Sequence, residues 1–208
     1  MQIPLFPLRL VVFPEEKLNL HIFEPRYLNM IQDCMENGQS FGIPAFIENK
    51  VMKVGSEMRV VELVNTYENG EFDIKTQAVG LFEIDAITKY DSQVRCDIGD
   101  IQPYFIDLDQ EEQEVKDLID KVNILFKSLD VKAIEYSGIL KPISFALGHL
   151  LGLSLKQEYE LLCLKKESAR IKYLSQYVEG ITPEEKVKDV VMRKINLNGH
   201  FKNVIPPM

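Results

Sequence analysis

The strongest constraint on the fold is a turn. Asn69-Gly70 stands between two long β-rich runs, "EMRVVELVNTY" and "EFDIKTQAVGLFEIDAITKY". An Asn-Gly pair tolerates the positive φ values that let a hairpin turn match the twist of its strands. The two runs are therefore read as neighbouring antiparallel strands. Phe72, Ile74, Thr76 and Ala78 share one face of the second run. Gly80 breaks the alternation, and Phe82, Ile84 and Ala86 resume it, as in a bulge or a sharp bend.

Other strands gather around this hairpin. In "KLNLHIF", Leu18, Leu20 and Ile22 alternate with Lys17, Asn19 and His21, which predicts a half-buried strand with His21 facing away from the core. Pro25 suits the first turn of a helix. Tyr27, Leu28, Met30, Ile31, Cys34 and Met35 then recur at helical spacing until Asn37-Gly38 ends the segment. "SFGIPAFIE" reads as a strand whose Pro44 marks an edge or a bulge, and "SQVRCDIGDIQPY" as a further strand paired with the one before it. Strands of this kind, about six with bends, predict a small barrel or folded sheet with one embedded helix.

The pattern changes near residue 106. "DLDQEEQEVKDLIDKVNILFKSL" is acidic at its start, which suits a helix N-terminus, and apolar at Val115, Leu118, Ile119, Val122, Leu125 and Phe126. "PISFALGHLLGL" reads as a short apolar helix. Ser154 with Gln157 forms a capping box before "EYELLCL", and a helix through Arg170 to Val178 closes at Gly180. Thr182-Pro183-Glu184-Glu185 is a second capping box, opening "KVKDVVMRKI". The fold class is thus α+β. A β-rich subdomain spans residues 1–105, a helical subdomain 106–195 and a loose tail 196–208.

Charge and cysteines narrow the function classes. A net charge of −8 and a pI near 5.0 argue against a phosphate-backbone binder. Cys34, Cys96 and Cys163 are odd in number, widely spaced and lack any Cys-x-x-Cys pair, which fits a reducing compartment rather than a disulfide scaffold. The N-terminal stretch has no basic region and is broken by Pro4, Pro7, Arg9 and Pro14, unlike a signal peptide. No apolar run approaches ~20 residues, so a cytoplasmic protein without a membrane span is expected.

Catalytic signatures are missing: no G-x-x-x-x-G-K-[ST], no G-x-G-x-x-G after a strand, no G-x-S-x-G and no H-E-x-x-H. His21, His149 and His200 have no metal-ligand spacing. Cys34 with His149 could form a nucleophile–base pair, but Cys34 lies on the apolar stripe of its helix, where packing explains it better. "LHIFEPRY" (Leu20 to Tyr27) is the densest polar cluster. A functional reading pairs His21 with Glu24 as acid and base. The preferred reading is a structural corner, with Glu24 favoured by the helix N-terminus, Arg26 paired with a carboxylate or strand-end carbonyls, and Tyr27 opening the buried stripe. It predicts that substituting His21 leaves folding nearly intact.

"IPLFPLRLVVFPEEKLNLHIFEPRYLNMIQDC" resembles the opening of the Lon protease N-terminal domain family. The matching positions are Pro4 to Leu8, Val12 to Pro14 and Leu18 to Tyr27, and the family-motif residues are Pro4, Phe6, Pro7, Phe13, Pro14, His21, Phe23, Glu24, Pro25, Arg26 and Tyr27. The hairpin segment and "FALGHLLGLSLKQEYELL" are also similar, so the likeness runs to about residue 180. One departure is "VGLFEI", where relatives often carry a glycine followed by arginines and this chain has Leu81 and Phe82.

The resemblance implies a PUA-like β-barrel or folded sheet followed by helices. In full-length Lon proteases this region helps recognise protein substrates and supports assembly, ahead of an ATPase and a Ser–Lys protease. Neither fits in 208 residues, so a stand-alone, noncatalytic, polypeptide-binding module is expected, with no catalytic, cofactor or metal residues to carry over. Its partner would be an unfolded polypeptide or a protein such as a Lon-type protease. The alternatives are an RNA-binding PUA-like module and a small-ligand-binding protein. Adaptors of this fold that bind small molecules rely on an extra zinc domain with cysteine pairs, which this sequence lacks.

Overall fold

The computed structural model describes residues 1–90, 94–135 and 142–181. In chain order it contains β1 (Gln2–Pro4), β2 (Lys17–Ile22), α1 (Pro25–Asn37), β3 (Phe41–Ile47), β4 (Lys50–Thr66), β5 (Phe72–Thr88) and β6 (Ile98–Pro103). The helices α2 (Glu112–Ser128), α3 (Ile143–Gly148), α4 (Leu155–Cys163) and α5 (Glu167–Glu179) follow. The described chain falls into two units, one covering Met1–Phe105 and one beginning at Ile106. The second capping box, the helix after it and the tail lie outside the described residues.

The Asn69-Gly70 hairpin is the axis of the first unit. β4 and β5 pair antiparallel from Val54↔Glu83 to Thr66↔Phe72. Gly70 takes φ 87 in the turn. The Tyr67 N–H donates to the Glu71 carbonyl at 2.9 Å and the Gly70 N–H to the Tyr67 carbonyl at 2.9 Å, closing the loop. The sheet is six-stranded with order β1-β6-β5-β4-β3, and β2 pairs with β5 off this path.

Bulges bend the long strands. Between Glu57↔Gly80 and Met58↔Ala78, β5 carries one extra residue, Val79, beside the glycine that marked the bend. A second step lies between Ile84↔Ile101 and Ala86↔Asp100, where Asp85 is the extra residue. This corrects the expectation for Ala86. The extra residue flips the alternation, so Ile84 is buried, Ala86 is exposed and Ile87 is half-buried against the core.

The N-terminal segment links the two ends of the sheet path. β1 pairs with β6, and just beyond it the Leu5 N–H donates to the Asp97 carbonyl at 2.8 Å. The next residues turn to β3: the Phe6 N–H donates to the Gly42 carbonyl at 2.7 Å and the Phe46 N–H to the Leu8 carbonyl at 2.7 Å. The sheet is thus folded around an interior. Phe6, Leu20, Tyr27, Ile31, Phe41, Met58 and Ile74 form one cluster, in which α1 lays its apolar stripe on the strands. Phe82, Ile84, Ile101, Ile3 and Leu5 form another. Leu81 and Phe82 are both buried, Phe82 in this interior cluster and Leu81 on the opposite face of the strand, so both faces take apolar residues here. The Phe82 ring leaves no room for a side chain at Gly55, where a Cβ would stand 2.6 Å from the ring and 2.9 Å from the Pro44 backbone.

In the second unit α2 buries Val115, Leu118, Ile119, Val122, Leu125 and Phe126, the stripe read from the sequence, and packs against α5. α4 starts with the Ser154–Gln157 capping box. α5 is capped from a distance: Asp109 accepts from the Ser168 N–H at 3.0 Å and the Ser168 hydroxyl at 2.9 Å. That backbone N–H, first among several contacts, holds the Asp109 carboxyl below its usual range.

Candidate functional site

The "LHIFEPRY" corner is where β2 passes into α1. On β2 the buried and half-buried residues alternate, and His21 is opposite Asp73 of β5 in register. Its Nδ1 lies 2.8 Å from Asp73 Oδ1 and its Nε2 lies 3.0 Å from Glu71 Oε2. The Tyr67 hydroxyl donates to the other Asp73 oxygen at 2.6 Å. That bond is the main cause of the raised Tyr67 pKa, because ionising the phenol would forfeit it. The His21 ring also stacks near Phe23 and meets the edge of Tyr67. His21 therefore ties β2 to the base of the β4–β5 turn.

Glu24 and Arg26 make a separate pair. Both Arg26 Nε and Nη2 donate to Glu24 Oε2, at 3.1 and 2.8 Å, and the guanidinium lies over the Tyr27 ring. The Glu24 side chain makes no capping bond to α1; its backbone carbonyl accepts from Tyr27 and Leu28 instead. Arg26 thus pairs with a carboxylate as expected, Glu24 makes no side-chain hydrogen bond to the helix N-terminus, and the acid–base pairing of His21 with Glu24 is not formed. Tyr27 is buried against Phe6, with ring centroids 4.1 Å apart. Desolvation pushes its phenol far above the usual range.

The remaining motif residues lie on the N-terminal run. Phe6, Pro7 and Phe13 are buried, and Pro4 and Pro14 are half-buried. The Phe13 N–H donates to the Glu16 carboxylate at 2.9 Å, and Glu15 takes φ 63 in the turn after Pro14. Sequence reasoning missed Asp73, Glu71 and Tyr67 as partners of His21. The only local signal was the acidic residue interrupting the apolar "FDI"; the register that joins it to His21 spans 52 residues of sequence.

Cys34 is buried in the α1 core and turned toward the Ser40 carbonyl. Desolvation pushes its thiol up to about 11. His149 has its Nδ1 3.1 Å from Glu158 Oε1, between α3 and α4. Each thus has a partner within its own unit. Among the described residues no group of three His, Cys, Asp or Glu could hold a metal ion, and no helix is long and apolar enough to cross a membrane.

The outer half of β4 is the most exposed apolar feature of the sheet. β3 covers β4 only from Lys50 to Met58. Beyond Met58, β4 has β5 on one side and no described strand on the other. Register steps place Val61 and Val64 as extra residues on this edge. Val61 is 60% exposed, Leu63 44%, Val64 40% and Tyr67 40%. Bulges on an edge obstruct a continuous ladder with another chain, while the apolar side chains stay available for contact.

A folded antiparallel sheet around one helix, with helices following and an apolar strand edge left open, defines a small α+β binding domain. The chain belongs to the family of the ATP-dependent protease La (LON) substrate-binding domain, whose sequence model matches residues 2–180. Its fold is similar to the crystal structure of a Lon N-terminal domain protein from Xanthomonas campestris, with TM-score 0.66 and 23% identity over 88% of this chain and 99% of that one. It is also similar to the N-terminal domain of a Mycobacterium avium complex Lon protease, with TM-score 0.67 and 10% identity over 88% of this chain and 100% of that one. No curated protein matches the chain.

Proposed function

We propose that this protein is a noncatalytic module that binds unfolded polypeptide in the cytoplasm, using the exposed apolar side chains of the outer β4 edge. The observation that carries the reading is the run of Val61, Leu63 and Val64, which stay exposed on a strand with one open side, with Tyr67 just beyond its end. Family membership supports it, since the family is described as a substrate-binding domain. The two bulges favour side-chain contact over strand addition, because they interrupt the backbone register that an added strand would need. A Lon-type protease is the partner to which such a module would deliver clients. The acidic balance of the chain weighs against the RNA-binding alternative.

The test is binding of a reduced, denatured model polypeptide followed by fluorescence anisotropy. The wild type should bind. A Val61→Ser/Leu63→Ser/Val64→Ser variant should lose at least about tenfold in affinity while keeping its denaturation midpoint, because all three side chains are already exposed. A wild type that binds no unfolded chain, or a triple variant that binds as well as the wild type, overturns the reading. Binding of single-stranded RNA with a steep salt slope would favour the alternative.

A further inference from the structure

The first unit also holds a cavity of about 230 Å³ between α1, β1 and the segment leading into β6. It is distinct from the β4 edge. Its apolar lining comes from Met30, Cys34, Cys96 and Ile98. Burial pushes both thiols up to about 11, so near neutral pH this side of the cavity carries no charge. Asn29 donates its side-chain N–H to the Val94 carbonyl at 3.2 Å, which ties the helix to the opposite wall.

The cavity's polar lining is cationic in an acidic protein. Arg26 and Arg95 both line it. Arg26 commits Nε and Nη2 to Glu24. Arg95 has its guanidinium carbon over the Tyr90 ring, 4.6 Å from the centroid, and makes no ion pair among the described residues. The nearby Asp97 carboxylate accepts from the Tyr90 N–H at 3.0 Å. Asp33 and Gln39 complete the lining with side-chain acceptors. A guanidinium resting over an aromatic ring still has N–H groups free to donate in a fork that fits a carboxylate.

The space is smaller than the roughly 300–1,000 Å³ of a typical drug-sized site. It calls for one small group with a negative end and an aliphatic body. Asp33 repels a second negative charge but can accept from an amide N–H. A free peptide C-terminus with an apolar last residue meets all three conditions: carboxylate, aliphatic side chain and amide N–H.

We propose that this cavity captures the C-terminal carboxylate and apolar last side chain of a client polypeptide, with Arg95 as the anchoring cation. The proposal rests on the polypeptide-binding reading and narrows its substrate class to chains with free, apolar ends.

The experiment compares two fluorescent, unstructured peptides that end in leucine, one with a free carboxylate and one amidated. Anisotropy should show the acid binding at least about tenfold more tightly. Arg95→Gln should reduce the acid peptide to the affinity of the amide, and circular dichroism should show the variant folded, because Arg95 is exposed. N-acetyl-leucine should displace the acid peptide and N-acetyl-leucinamide should not. Equal affinity for acid and amide, or a difference that survives Arg95→Gln, overturns the proposal. If N-acetyl-leucine binds the wild type while neither peptide does, the cavity serves free small carboxylates and the C-terminus proposal fails. A denatured client that binds regardless of its terminus leaves the β4 edge reading standing alone. Terminus-dependent binding that ignores the Val61, Leu63 and Val64 substitutions leaves the cavity standing without it.

Discussion

In the β-rich unit the large, fully buried side chains are Phe41, Phe82, Met58 and a set of leucines and isoleucines; in the helical unit the largest is an arginine. Arg170 and Glu167 of α5 are both fully buried, with Arg170 Nε 2.7 Å from Glu167 Oε2. Ser144 of α3 joins them: its N–H and hydroxyl donate to the two Glu167 oxygens at 3.0 and 2.7 Å, and its hydroxyl accepts from Arg170 at 3.1 Å. Arg170 also donates to the carbonyls of Leu164, Lys165 and Asp107 and lies over the Phe145 ring. The first unit is held by non-directional packing that tolerates small repacking. The second is pinned at one point by a network that must be complete, because each buried charge costs several kcal/mol if left alone.

The difference is sharpest when the network loses one member. Arg170→Ala should destabilise the protein by about 3–5 kcal/mol, since it strands a buried carboxylate. Urea denaturation followed at 222 nm would read this. Replacing both partners, Glu167→Leu with Arg170→Met, should recover most of the loss. A single variant within 1 kcal/mol of the wild type would show that the network is not what pins the helices.

The β-rich unit should fail differently, by overfilling. Gly55→Ala would push a methyl into Phe82 and the Pro44 backbone, at a cost of about 1–3 kcal/mol. A Gly55→Ala/Phe82→Leu pair should regain part of it. If Gly55→Ala were neutral in a denaturant titration, the sheet would be more pliant than its packing suggests.

His21 lies between these extremes, half-exposed yet joined to two carboxylates. His21→Ala should cost about 1 kcal/mol, because Asp73 keeps its bond from Tyr67. The alternation that placed His21 off the core gives the smaller expectation of almost no loss. Hydrogen exchange at the β4–β5 turn would separate the two, as only a tie through Asp73 predicts faster exchange there.

A further effect, comparable in size, is alkaline. The Cys34 and Cys96 thiols are raised from 9.0 to about 11 in the folded unit by desolvation. Unfolded thiols release protons first, so the native state binds more protons in this window. Stability should therefore be intact below about pH 9 and fall between about 9 and 11. Chemical denaturation across this range should flatten in a Cys34→Ala variant, and a wild-type midpoint constant to pH 11 would contradict the assignment.

The parts of the fold that read directly from the sequence are those set by local rules. Asn69-Gly70 gave the hairpin, Gly80 flagged a bulge, and the α2 stripe named its own buried residues. The first failures came where one added residue reversed a pattern, as Asp85 does for Ala86. Gln2–Pro4 was hidden as a strand by the prolines around it. The candidate site was legible in part. "LHIFEPRY" was recognisable as a corner with Arg26 paired to a carboxylate, but its partners Glu71 and Asp73 depend on register. Arg170 read as an ordinary member of a helix, because only tertiary packing surrounds it with Ser144 and Phe145.

The N-terminal strap has a consequence in time. Residues near Met1 are synthesised before the rest of the first unit, yet they bond to Ile98–Pro103, which are made nearly last in that unit. Until those residues leave the ribosome, the opening strand has no β6 to pair with, and the interior around Phe82 stays open. Sheet completion must therefore wait for emergence of the whole unit, and the long sequence separation of its ends should slow folding. A nascent chain stalled before β6 would hold its opening strand unpaired and its apolar interior exposed, an aggregation-prone state.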